Sequence, residues 1–202
     1  MDEQVQGDGN YMTATEFIHE IDSLVARTMN GSEFKPCCAK GCSHCCSEPL
    51  YAETGEVDHM LDMLTEDQRH RVKERTKTWL TKAMPFFDIT NDKGLADAFA
   101  YRDANIECPF LENHLCMVYE RRPMGCRTFF ATGNPDHCKM PERRQQKIAE
   151  IDFSHPAWMN LWSGFAEDKS TLLMEHVGIL VADKLLNEHY ESSARRQYDF
   201  TD

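Results

Sequence analysis

No apolar run in the chain exceeds six residues. The longest, Val177-Gly-Ile-Leu-Val-Ala182, falls far short of the ~20 residues a membrane-spanning helix requires. Positive charge is also scarce: 22 Lys plus Arg stand against 34 Asp plus Glu, a net charge of −12. Nucleic-acid binders carry a basic footprint, so no nucleic-acid partner is expected. The first residues, Met1-Asp-Glu-Gln-Val-Gln-Gly-Asp-Gly9, show neither a basic start nor an apolar stretch. They read as no secretory signal, which points to a cytoplasmic protein with no membrane attachment. Missing too are a Gly-rich phosphate loop, a His-Glu-x-x-His pair and a nucleophile elbow. Asp97 and Glu112 are isolated carboxylates without a paired-acid pattern. With 41% apolar and 28% charged residues, the chain can still build a core.

Cysteine is absent from residues 47–107 and 139–202, yet the chain has nine. Five lie between Cys37 and Cys46, and the others are Cys108, Cys116, Cys126 and Cys138. A disulfide framework needs an oxidising compartment and fits poorly with an odd count and adjacent cysteines. Burial as a small apolar residue suits Cys37 taken alone. It does not suit Cys38-Ala-Lys-Gly-Cys42-Ser-His-Cys45-Cys46, whose other residues offer almost no apolar surface.

Metal ligation accounts for the cluster. The Cys42-x2-Cys45 unit lets two sulfurs meet one ion across a tight loop, and Gly41 supplies backbone freedom beside a ligand. Adjacent side chains diverge on an extended chain or on an α-helix. Cys45 and Cys46 therefore do not easily serve one small tetrahedral ion: one is idle, or they serve two metals, or the site is polynuclear. In the second group Pro109 fixes the backbone after Cys108, and Glu112-Asn113-His114 reads as a turn between Cys108 and Cys116. Pro123 and Gly125 lead into Cys126, and Asn134-Pro135-Asp136 reads as a turn delivering Cys138. Setting Cys37 aside, the candidate metal ligands are Cys38, Cys42, Cys45, Cys46, Cys108, Cys116, Cys126 and Cys138. Thiolates in such number need nearby donors and cations, and Lys40, His44, Arg121, Arg122 and Arg127 are the candidates. Only one Cys-x2-Cys knuckle is present, and the second group is widely spaced. That pattern favours an iron–sulfur cluster slightly over zinc.

These residues resemble the YkgJ-type cysteine-cluster family. The likeness rests on Cys38-x3-Cys42-x2-Cys45-Cys46, Cys108-Pro-Phe-Leu, Cys116-Met-Val-Tyr-Glu-Arg-Arg-Pro-Met-Gly-Cys126-Arg127 and Asn134-Pro-Asp-His-Cys138. The resemblance implies a zinc- or iron-chelating domain with eight metal-binding cysteines and, for most members, no settled activity. A related cluster in flagellin lysine N-methylases connects it more distantly to iron–sulfur chemistry. Cys37 departs from the pattern as an extra cysteine. Three functions are open: a metalloprotein whose metal organises the fold, an iron–sulfur-dependent methyl-transfer or redox enzyme, and a metal chaperone or storage protein. The Cys38-x3-Cys42-x2-Cys45 spacing also matches radical S-adenosylmethionine enzymes, but the chain lacks their alternating strand–helix pattern. The metal ion is the one partner the sequence implies.

Helical periodicity places an amphipathic helix over Thr15 to Met29, capped by Thr13 or Thr15 and ended at Asn30-Gly31. A short extended run over Glu48 to Ala52 precedes a helix carrying Val57, Met60, Leu61 and Leu64. Thr65-Glu-Asp-Gln68 fits a capping box opening a helix to about Ala83, with Pro85 as its stop. Asn91 to Gly94 reads as a turn, Leu95 to Tyr101 as a short helix, and Pro141 to Ile151 as helical. Helices are also expected from His155 to Trp162 and from Ser170 to Tyr190, with Phe86, Phe87, Trp158 and Trp162 as core anchors. The expected fold is mainly α, with a small α+β element possible: a metal-stapled helical domain around a loop-rich cysteine cluster. Its parts are an amino-terminal helix (1–35), the cysteine-cluster domain (36–140), helices packed on the same core (141–192) and a frayed tail (193–202).

Overall fold

The computed structural model describes residues 12–30, 38, 40–87, 100–131, 138, 148–149, 171–187 and 196–199. The chain is mainly α, with a few short strands. Helix α1 (Ala14–Asn30) buries Phe17, Ile18 and Ile21. Its start is fixed locally: the Thr13 amide donates to Glu16 Oε2 at 2.8 Å, and the Glu16 amide returns to Thr13 Oγ1 at 3.3 Å. After a 3-10 turn at His44–Ser47, strand β1 (Tyr51–Ala52) leads into α2 (Thr54–Leu61). A reciprocal capping box between Glu53 and Glu56 starts α2.

Helix α3 (Glu66–Ala83) opens on the Thr65–Gln68 capping box that the sequence announces. Its buried residues Val72, Thr76, Trp79, Leu80 and Ala83 form one stripe at helical spacing, and most of its charged residues face solvent. A 3-10 turn with Pro85 at its start ends the helix. Residues 100–103 are helical, which meets the end of the expected Leu95–Tyr101 helix; the rest of that helix and the Asn91–Gly94 turn lie outside the described residues.

Strands β2 (Leu111–Glu112) and β3 (Leu115–Cys116) form a hairpin around the turn expected at Glu112–His114. Asn113 and His114 both have positive φ, 50° and 63°, the two-residue turn whose twist matches that of the strands. Helix α4 (Met124–Thr128) starts at Pro123, and β4 (Phe130–Ala131) pairs with β5 (Ile148–Ala149). Ile148 and Ala149 therefore sit in a strand, not in the expected Pro141–Ile151 helix. The His155–Trp162 segment, with Trp158 and Trp162, lies outside the described residues, as does the Asn134–Asp136 turn.

The Ser170–Tyr190 expectation needs correction. Thr171–His176 form strand β6, and the helix α5 occupies only Val177–Leu186. Strand β6 is the centre of a three-stranded antiparallel sheet between β1 and β7 (Arg196–Asp199). Residues 196–199 are thus a paired strand inside the segment expected to fray. The apolar run noted in the sequence is α5, and it is buried nearly all round. Val177, Leu180, Val181 and Leu185 pack with Val57, Met60, Leu61, Val72, Phe110 and Val118. Ile179 and Ala182 pack on Trp79, Phe87 and Tyr101. A helix apolar on every face belongs at the centre of a core, and no described helix is long and apolar enough to cross a membrane.

Candidate metal centre

The two cysteine segments meet through the backbone. The Cys108 amide donates to the Cys46 carbonyl at 2.8 Å. Around this join lies a cavity of about 50 Å³ lined by six thiols: Cys42, Cys45, Cys46, Cys108, Cys116 and Cys126. Cys38, which is exposed, and Cys138, which is half-buried, are not part of that lining. None of the eight described cysteines is in a disulfide.

Local structure explains the convergence. Cys45 and Cys46 sit on the 3-10 turn, held by the Cys46 amide on the Ser43 carbonyl at 3.0 Å. A 3-10 turn, at about three residues per turn, still sets adjacent side chains about 120° apart, yet both residues line the one cavity. The two thiols interact with each other, and that interaction shifts both. Cys116 ends the hairpin whose register pairs it with Leu111, and Cys126 lies on α4.

The Phe110 and Val118 backbone amides, each two residues beyond a cysteine, favour the thiolates of Cys108 and Cys116. Such N–H donors stabilise a thiolate. The interaction with Cys46 brings the Cys45 thiol down to about 7 against burial, and Arg122 adds a smaller attraction. Cys46, Cys108, Cys116 and Cys126 move the opposite way. That same interaction, then burial, raises Cys46. Burial and Cys116 raise Cys108 to about 12. Burial raises Cys116, and burial with Cys45 raises Cys126 well above the usual thiol range.

The upward shifts of Cys108, Cys116 and Cys126 share a cause: thiolates in one low-dielectric space lack water and repel one another. A metal cation removes both penalties, since coordination deprotonates a thiol outright. The donor set therefore fits a thiophilic metal. Among the described residues, no three Cys, His, Asp or Glu side chains already converge on one ion-sized point, so the thiols share a cavity rather than a finished cage.

The basic residues divide differently from expectation. Arg122 faces the sulfurs, stacks over the Tyr119 ring at 3.7 Å and donates to the Tyr119 carbonyl at 3.0 Å. Arg127 instead grips both oxygens of Asp22 at 2.7 Å and donates to the carbonyls of Arg122 and Glu120, tying α1 to α4. Arg121 reaches the His59 carbonyl at 3.1 Å. Lys40 pairs with Glu120 at the surface. His44 lies on the same 3-10 turn as the two cysteines.

The cavity also contains residues that the sequence did not single out. Glu48, ion-paired to Arg102 at 2.5 Å, Tyr101 and His176 contribute to its wall. Tyr101 and His176 come from segments whose composition carries no metal signature; only folding brings them there.

The helical core and the thiol-lined cavity define a cysteine-cluster, metal-chelating class of protein. Residues 37–155 match the family described as "CxxCxxCC: Putative zinc- or iron-chelating domain". That is more than half of the chain, which belongs to this family; the YkgJ-type resemblance fits it. No curated protein and no solved structure matches the chain.

Proposed function

We propose that the chain holds a polynuclear metal centre, iron–sulfur rather than zinc, on the cysteines of its two segments. Cys42, Cys45, Cys46, Cys108, Cys116 and Cys126 form its inner set, and Cys38 and Cys138 complete the eight. The observation that carries this reading is the shared cavity, which has six thiols in its wall. One tetrahedral zinc ion uses four ligands, so six thiols exceed what a mononuclear site employs. The vicinal pair adds to this, because adjacent side chains diverge and do not easily serve one small ion. In this reading residues 36–140 are the metal-binding unit, and α5 is the support against which it packs.

A co-substrate beside the centre has room as well: Cys108, in the wall of the thiol-lined cavity of about 50 Å³, also lines a second cavity of about 590 Å³, within the roughly 300–1,000 Å³ that organic ligands occupy.

Anaerobic purification followed by metal and acid-labile sulfide analysis tests the proposal. A broad visible absorption band with iron and sulfide is the expected result. A colourless protein carrying stoichiometric zinc would overturn the iron–sulfur assignment. A protein that takes up neither metal would overturn the metal centre itself.

A further inference from the structure

His176 closes β6 and caps α5: its Nδ1 accepts the Gly178 amide at 3.0 Å. An imidazole nitrogen that accepts a backbone N–H carries the lone pair, so the proton of the neutral ring sits on Nε2. That Nε2 is buried and has no hydrogen-bond partner, although the residue is only 4% exposed and lines the cavity with the six thiols. Buried N–H groups are rarely left unpaired, so this one points to an acceptor that completes it.

The ring cannot turn away to find another partner. Trp79 stacks on it at 5.0 Å, and Phe87 and Tyr101 lie at 4.8 and 5.3 Å. The Tyr101 hydroxyl is already engaged by Trp79 Nε1 and directed to the Ile106 carbonyl. Glu48, the carboxylate in the cavity wall, is paired with Arg102. The other side-chain acceptors in the cavity wall are the six sulfurs, the Tyr119 hydroxyl and His114.

We infer that His176 donates a hydrogen bond from Nε2 to a thiolate or sulfide of the metal centre, as a positioning residue outside the cysteine ligand set. The inference rests on the proposed metal-binding reading of the same cavity. Direct ligation by Nε2 is disfavoured by the same geometry. It would need the proton on Nδ1, where it would face the Gly178 N–H donor to donor. Burial also lowers the imidazole to about 3, so the ring stays neutral and adds a hydrogen bond without adding charge. Donors of this kind orient metal-bound groups and tune the metal's electronics.

Two near-isosteric substitutions separate this role from the helix cap. In His176→Asn the amide oxygen replaces Nδ1 and keeps the cap, but the Nε2 donor is lost. In His176→Gln the amide nitrogen stands near Nε2 and the cap acceptor is lost. Each is compared with wild type as the anaerobically purified holoprotein, challenged with increasing chelator. The expected result is a roughly 10–100-fold loss of metal affinity for His176→Asn, with His176→Gln retaining the greater share. Equal retention by both variants, or loss confined to His176→Gln, would overturn the donor role.

A wild-type measurement keeps the inference testable if a variant fails to fold. In histidine-¹⁵N-labelled holoprotein, the His176 signal should show a protonated Nε2 whose proton resonance moves on metal loading. A proton on Nδ1, or an unmoved Nε2 proton, would overturn it. A wild-type protein that takes up no metal refutes the metal-binding reading instead, and the two failures are distinct.

Discussion

The backbone bond from the Cys108 amide to the Cys46 carbonyl, 2.8 Å long, joins the two cysteine segments before any sulfur is considered. It sets the vicinal pair against the loop that leads to the Cys116 hairpin. Convergence of the thiols is therefore a property of the polypeptide, and a metal would consolidate it.

Serine substitution at any of the six cavity cysteines should lower bound metal more than serine at Cys38 or Cys138. The six are in the cavity wall and the other two are not. Metal content per chain, measured on anaerobically prepared protein, checks this. Stripping the metal from the wild type should also lower its melting temperature and broaden the transition, because binding and folding are coupled. An unchanged calorimetric transition would contradict that coupling.

Gly125→Ala should destabilise the fold and weaken metal binding together. A Cβ at this position would lie well inside contact distance of the Tyr51 carbonyl oxygen and only 3.2 Å from the Tyr51 nitrogen. Neither is the end of a flexible side chain, so β1 and α4 must separate. Overpacking of this kind costs about 1–3 kcal/mol. A denaturant midpoint reports the loss, and the adjacent Cys126 makes metal affinity the second readout.

Arg127→Lys should not be conservative. The guanidinium holds both Asp22 oxygens and two backbone carbonyls while only 6% exposed. A lysine cannot reproduce that planar fork, and the carbonyls lose charged donors. The expected cost is about 1–3 kcal/mol, seen by equilibrium unfolding. Asp22→Asn should cost less, since Asp22 is 58% exposed and the carbonyl contacts survive.

Glu56 should impose a pH slope on stability. It is fully buried, accepting the amides of Met124 at 2.6 Å and Glu53 at 3.0 Å. Burial raises its carboxyl from 4.5 to about 7 against those hydrogen bonds. Because the folded pKa exceeds the unfolded one, its contribution is fully present below about pH 4.5 and is lost as pH rises through about 7. The size is on the order of 3 kcal/mol. The difference in unfolding free energy between wild type and Glu56→Gln should therefore change across pH 4.5–7.5, falling on the wild-type side as pH rises. A constant difference would refute the assignment.

Local chemistry was readable in advance. Thr65 and Gln68 cap α3 as their spacing predicts, since both partners lie within one turn. Asn113 and His114 tolerate positive φ, so the turn between Cys108 and Cys116 could be read from sequence. The stretch before α5 could not. Thr171-Leu-Leu-Met-Glu-His176 has apolar residues that suit either a helix or a strand. Pairing with Tyr51–Ala52 and with Arg196–Asp199 decided in favour of the strand. Arg127 follows Cys126 directly in sequence, yet its side chain pairs with Asp22 on α1.

The amino-acid sequence by itself determined the chemistry: two groups of soft sulfur donors, the turns that present them, and the capped helices beside them. All of these depend on residues a few positions apart. Tertiary structure alone decided that six of those sulfurs share one wall, that Cys45 and Cys46 face it together, and that His176 stands among them. Each of those facts depends on contacts between segments distant along the chain, which no local pattern encodes.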